Sequence, residues 1–281
     1  MTDLLYYPPL LIVAACFMGL CVGSFLNVVV YRLPLMLERR WLQEAAAIRH
    51  EPPPEFPKLN LALPRSACPQ CDHNLSAVEN IPVISYLVLR GRCAHCSAKI
   101  SFRYPLVEAT TGILSVVIAL SFGPTLYGAA CLVFACALLA LSLIDYDTQL
   151  LPDDLTLPLV WGSILFNLVT QTIPLSDSVI GAIIGYLSLW SIYWVFKLIT
   201  GKEGMGYGDF KLLAAIGAFL GWQSLLVVVL IASCAGAIAG ISLMLFTGHQ
   251  RGTPIPFGPY LAFAGVAAIW AGPVANALQR W

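Results

Sequence analysis

The chain has 281 residues, of which 59% are hydrophobic and only 11% charged, and its mean hydropathy is +0.81. Soluble domains carry about 25% charged residues, so the composition excludes one and defines a membrane protein. The formal net charge of zero singles out no partner; membrane lipid is expected as one and nucleic acid is not.

Taken in chain order, the first apolar segment lies near 10–31. Its start, MTDLLYYPPLL, has no basic residue and the apolar run exceeds a signal-peptide core, so a retained anchor is expected. A polar insert follows over 32–104. LMLERRWLQEAAAIRH has the composition of a surface helix, HEPPPEFP that of a stiff linker, and CPQC and CAHC form two cysteine knuckles. Beyond it, the runs 109–144, 155–176, 178–196 and 212–248 contain no Asp, Glu, Lys or Arg. A helix crosses a bilayer in ~20 residues. The first and last of these runs therefore hold two spans each, broken at Gly123-Pro124 and at Gly221-Trp222-Gln223. With a last span near 258–278, the expectation is an all-α polytopic membrane protein of about eight spans, its cysteine insert lying between the first and second.

Ten of the fifteen Lys and Arg residues fall between Arg32 and Arg103, which makes the insert cytoplasmic by the positive-inside rule. Alternation then puts Lys197, Lys202, Lys211 and Arg251 on the same side, leaves only Arg280 opposite, and places both termini outside.

Cys16, Cys21, Cys131, Cys136 and Cys234 are scattered through the spans as small apolar residues. Cys68, Cys71, Cys93 and Cys96 are different, forming C-x2-C…C-x2-C with 21 residues between the pairs. Two knuckles supply the four thiolates of a tetrahedral Zn²⁺ shell, and a cytoplasmic location argues against disulfides. The closed shell makes the zinc structural and leaves His73 and His95 as bystanders.

The informative acids are Asp145, at the end of an apolar run in LSLIDYDTQLLPDDL, and Asp209 in GMGYGDFKLL. They come from different spans yet reach the same membrane face. Asp147 reads as facing water, and Asp153 and Asp154 as first-turn dipole partners. Asp209 follows glycines at 204, 206 and 208, which free the backbone to approach another segment closely. Facing carboxylates share one proton and can work as general base and general acid on a water. Lys211 reads as a lipid anchor and Asn27 as polar glue between helices.

GMGYGDFKLL with LIDYDTQLLPDDL upstream resembles the GxGD membrane aspartyl proteases, specifically the bacterial type IV prepilin peptidases. GSFLNVVVYRLP, the paired knuckles, ENIPVISYL, RYPLVE and GTPIPFGPYL extend the resemblance over nearly the whole chain. It implies a bifunctional, multi-pass enzyme of the bacterial inner membrane with its active site at the cytoplasmic face. Such an enzyme cuts the leader from type IV prepilins and type II secretion pseudopilins, typically between Gly and Phe. It then methylates the new N-terminus with S-adenosylmethionine. The resemblance implies Asp145 and Asp209 as the catalytic pair, with Asp147 the nearest competitor. It divides the chain into a first span over 1–31, a zinc-binding and methyltransferase insert over 32–104, and a peptidase domain over 105–281. No G-x-G-x-x-G fingerprint marks a methyl-donor site.

Three other readings compete. A proton-coupled transporter would carry acids near the midplane and inverted repeats, and neither is visible. A non-catalytic scaffold leaves GMGYGD without a purpose. A peptidase without methylation leaves the cysteine insert without one.

Overall fold

The computed structural model describes residues 8–247 and 256–271. The termini, Arg251, Arg280, the start of GTPIPFGPYL and the far end of the last expected span lie outside them. Regular structure among the described residues is helical apart from two isolated β-bridges, Ala67 with Asn74 and Arg92 with Lys99. The chain divides into two compact units, Met1–Leu132 and Val133–Trp281.

In the first unit, helix α1 (Pro8–Ile48) has 41 residues, about 61 Å at 1.5 Å per residue and twice the ~30 Å hydrocarbon core. The span and the surface helix expected as separate pieces are one helix running through Pro34. Pro34 lacks a backbone donor, but helix-favouring residues flank it and the returning chain braces the extension. Gln43 Nε2 donates to the Pro54 carbonyl at 3.4 Å and Arg39 Nη1 to that of Pro57 at 2.9 Å. Arg32 donates to the carbonyls of Asn60 at 2.9 Å and Pro64 at 2.8 Å. Donor numbers fall as acceptor numbers rise, so the proline-rich segment lies antiparallel along α1. An extended proline-rich chain makes no internal hydrogen bonds, and these side chains take up its carbonyls. The linker is thus a strap.

The membrane half of α1 packs on α3 (Arg103–Phe122) through small residues. A Cβ on Gly19 would stand 2.6 Å from Ser115 Cβ, and one on Gly23 would stand 2.7 Å from Glu108 Cα. Glycines four apart let two helix backbones approach. Asn27 donates to the Tyr104 carbonyl at 3.1 Å, the interhelical role expected for it. The short helix α2 (Ile84–Val88) lies between them in sequence.

Helix α4 (Leu126–Thr148) follows the Gly123-Pro124 break and carries the chain into the second unit. That unit continues with α5 (Asp153–Thr170), α6 (Leu175–Thr200), α7 (Tyr207–Leu220), a 3-10 turn at Trp222–Ser224, α8 (Leu225–Thr247) and α9 (Gly258–Ala271). Both breaks expected within the long apolar runs occur where expected. By length and composition, five helices among the described residues qualify as membrane spans, which leaves the expected count of eight unconfirmed. Helix α7 and the described α9 have 14 residues each, about 21 Å and short of the bilayer core.

Helix α7 is short because it is central. Phe210, Leu212, Leu213, Ala215, Ile216 and Ala218 are fully buried, and a helix apolar all round needs protein on every side. Its backbone touches that of α6: a Cβ on Gly181 would meet the Gly217 carbonyl, and one on Gly185 that of Leu213. Asn167 Nδ2 at 2.9 Å and Ser178 Oγ at 2.6 Å donate to the Ala218 carbonyl, which has no helical partner at the end of α7. Depth and rotation of this helix are fixed at both ends.

Candidate active site and metal cluster

In the first unit each knuckle is the same tight turn. Cys68 N–H donates to the His73 carbonyl and Asp72 N–H to that of Cys68; Cys93 N–H donates to Ala98 and Ser97 N–H to Cys93. Asp72 and Ser97 both take left-handed φ, 54° and 60°. The two turns bring Cys68 Sγ within 3.8 Å of Cys96 Sγ, and Cys71 Sγ within 4.0 Å of Cys93 Sγ. All four sulfurs lie within 4.8 Å of one another. Tetrahedral bonds of ~2.3 Å place sulfurs about 3.8 Å apart, so the cluster has the dimensions of a four-thiolate metal site.

The N–H groups of Gln70 and Cys71 lower the Cys68 thiol to about 7, and those of Cys96 and His95 lower Cys93. Cys71 receives the His73 N–H, yet burial and the sulfurs of Cys96, Cys68 and Cys93 push it up to about 12. Sulfurs this close ionise together only with a cation among them. His73 and His95 stack with ring centroids 5.3 Å apart, and His73 Nε2 lies 3.4 Å from Glu79 Oε1. Neither belongs to the ligand group.

In the second unit, Asp145 in the last turn of α4 and Asp209 in the first turn of α7 are 5% and 6% exposed. They lie close enough for their charges to act on one another. Asp209 Oδ2 accepts the Gly206 N–H at 3.3 Å, closing the α7 N-terminus, while its Oδ1 is buried with no hydrogen-bond partner among the described residues. A capping carboxylate needs one oxygen; the second is left pointing into the protein, where an unpaired polar atom is costly. Asp145 Oδ2 accepts the Gly258 N–H at the start of α9, at 2.9 Å. In the sequence Gly258 is marked only by its place in GTPIPFGPYL, with no role assigned to it.

Burial separates the pair from its neighbours, since Asp147, Asp153 and Asp154 are exposed. Lys211 is not the free lipid anchor expected: its Nζ lies 2.6 Å from Asp153 Oδ1, joining α7 to α5. The glycines also act otherwise than expected. None of Gly204, Gly206 and Gly208 has positive φ, and what approaches them is side chain rather than backbone. A Cβ on Gly208 would stand 2.6 Å from Leu151 Cβ, and one on Gly204 would stand 2.9 Å from the Phe196 ring. Leu151 follows Asp145 by one turn and a loop, so its seat on Gly208 draws the two carboxylates to one place. In the loop between α6 and α7, the Lys197 ammonium, 2.9 Å away, holds Glu203 below the usual carboxylate range.

A buried carboxylate pair between apolar helices, with a four-cysteine cluster of metal-site dimensions elsewhere in the chain, is the arrangement expected of a membrane aspartyl peptidase. The sequence matches the model of the bacterial peptidase A24 N-terminal domain over residues 17–122 and that of the type IV leader peptidase family over 132–241. The first match contains the four cysteines and the second both aspartates. Relatives named prepilin leader peptidase/N-methyltransferase include one from Aeromonas salmonicida, 55% identical over 94% of this chain and 90% of its own length. Another, from Pseudomonas putida, is 51% identical over 97% of this chain and 95% of its own. A third, from Pseudomonas aeruginosa, is 52% identical over 95% and 93%. No solved structure matches the chain. The chain belongs to the type IV leader peptidase family.

Proposed function

We propose that this protein cleaves the leader peptide from type IV prepilins and type II secretion pseudopilins with Asp145 and Asp209, then N-methylates the exposed terminus. The observation that carries the cleavage half is the pairing of two buried carboxylates from different helices, one of which keeps a partnerless oxygen. Nothing structural explains that oxygen, whereas a water or a scissile carbonyl would. In this reading the pair acts as general base and general acid, taking a proton from water and delivering one to the departing amine. The site faces the cytoplasm in the inner membrane, where the leader stays while the pilin's apolar helix lies in the bilayer. The basic residues of the 32–104 insert support that orientation.

The domain division follows the same reading: an anchor over 1–31, the insert over 32–104 as the methyltransferase region, and the peptidase over 105–281. Zn²⁺ is the ion that best suits four thiolates at these separations; bound there it has no open position and holds the insert's two knuckles together. S-adenosylmethionine is the methyl donor implied. The described residues do not fit its usual cradle, since no strand leads into a glycine-rich turn among them.

Cleavage of a prepilin in membranes carrying Asp145→Asn or Asp209→Asn tests the assignment. Neither variant should process the substrate, while Asp147→Asn and Asp153→Asn should do so within about twofold of wild type. Normal processing by either Asp145→Asn or Asp209→Asn would sink it.

A further inference from the structure

The two carboxylates are held differently. Asp145 Oδ2 accepts a backbone N–H from Gly258, the first residue of α9. That N–H has no partner within its own helix, and Asp145 reaches it from a different helix, α4. Asp209 shares only one oxygen, with the N–H of Gly206 just ahead of its own helix, and its buried Oδ1 has no donor among the described residues. Gly258 also presses on Asp145 directly: a Cβ there would stand 2.6 Å from Oδ2 and 3.0 Å from Cγ. An alanine could not be added without moving the carboxylate, whose position is otherwise set by α4.

We propose that Gly258 is a positioning residue of the cleavage reaction: its N–H and its lack of a side chain hold Asp145 as the carboxylate that takes the proton from water, leaving Asp209 to carry the proton that the substrate receives. The proposal rests on the reading of Asp145 and Asp209 as the cleaving pair. As the water oxygen bonds to the scissile carbonyl carbon, one water proton passes to Asp145 and the Asp209 proton passes to the carbonyl oxygen. The tetrahedral diol then collapses. The C–N bond breaks, the amine nitrogen takes the proton from Asp145, and a diol hydroxyl returns one to Asp209. Both acids end as they began.

The test compares Gly258→Ala with Gly265→Ala in the purified full-length enzyme. Gly265 lies on the same helix, and a Cβ there would meet the ends of Ile216 and Leu138 instead, at 2.9 and 3.0 Å. Gly258→Ala should lower kcat for prepilin cleavage by ~10- to 100-fold, since misplacing a catalytic group by about 1 Å costs that much, and leave KM within about twofold. Gly265→Ala should keep kcat within about threefold. Wild-type kcat in Gly258→Ala, a rise in KM alone, or an equal loss in Gly265→Ala would each overturn the proposal.

A second measurement does not depend on Gly258→Ala folding. Labelling Phe carbonyl carbons and Gly amide nitrogens selects only the Phe122-Gly123 and Phe257-Gly258 amides. Asp145→Asn should move the Gly258 amide resonance while Asp209→Asn leaves it nearly in place; a resonance indifferent to Asp145→Asn counts against the contact. If Asp145→Asn itself cleaves normally, the pair has been misassigned. If it is inactive and Gly258→Ala is normal, only the role of Gly258 fails.

Discussion

Residues 49–102 contain one five-residue helix and two isolated β-bridges, whereas the chain around α7 is almost wholly helical and its central helix is buried from Asp209 to Leu220 except at Lys211. The first region buries little: Ile81 and Ile84 are 37% and 56% exposed, and Leu87 and Val88 are 68% and 74% exposed. Its contacts are a cysteine cluster and a strap, with four sulfurs within ion-binding distance of one another and a proline-rich return held by Gln43, Arg39 and Arg32. The second region has apolar packing in abundance and spends it on holding two acids in a place where acids are unfavourable. Polar chemistry can thus be fixed by a few strong bonds in a poor core, or by a rigid core that tolerates a few poor contacts.

The two regions should therefore fail in different ways. The largest separation is expected from Asp209→Asn, which should lower prepilin cleavage by ~10³-fold or more. Methylation of a pilin supplied already cleaved should stay near wild type, as measured by transfer of labelled methyl groups. Equal loss of both activities would join the two regions into one site. Metal removal should do the reverse. One zinc per chain is expected by elemental analysis, and verified removal by a chelator, or Cys93→Ser, should lower methylation at least tenfold while cleavage falls less. Methylation unchanged after metal loss would separate the cluster from that activity.

Packing gives the next effect. Gly217→Ala puts a Cβ against the Gly181 carbonyl, nearer than atoms can approach, so α6 and α7 must separate. Overpacking of this kind costs about 1–3 kcal/mol, and both the thermal midpoint and cleavage should drop; a thermal midpoint equal to wild type would show that the helices accommodate the methyl. The smallest change belongs to Lys211→Ala. Its bridge to Asp153 is partly exposed, with side chains 27% and 53% accessible, and such pairs contribute less than about 1 kcal/mol. Cleavage should stay within about twofold, and a larger loss would draw Lys211 into the reaction.

Much of this was legible in the sequence because it depends on local chemistry. Uncharged runs longer than a bilayer is thick announce membrane helices, and Gly123-Pro124 and Gly221 end them because glycine and proline leave the helical ladder wherever they occur in such a context. Paired C-x2-C turns place their own sulfurs, so the cysteine cluster needed only the two knuckles to meet. The strap along α1 was not legible, because acceptors in an extended proline-rich segment carry no mark of which helix will donate to them. Nor was the continuity of α1 through Pro34, where the bracing lies some twenty to thirty residues downstream.

The residue types of the candidate site, two aspartates at apolar helix ends and four paired cysteines, stand out in the sequence alone, since an ion in a nonpolar run has few structural uses. Tertiary structure decided which acids are buried, that Asp147 is not one of them, that Gly208 is a seat for Leu151, and that an N–H from α9 meets Asp145. These depend on the rotation and depth of helices whose contacting residues lie as many as 113 positions apart. Side-chain periodicity says which face of a helix is apolar, but in a helix that is apolar all round it cannot say which face meets which neighbour.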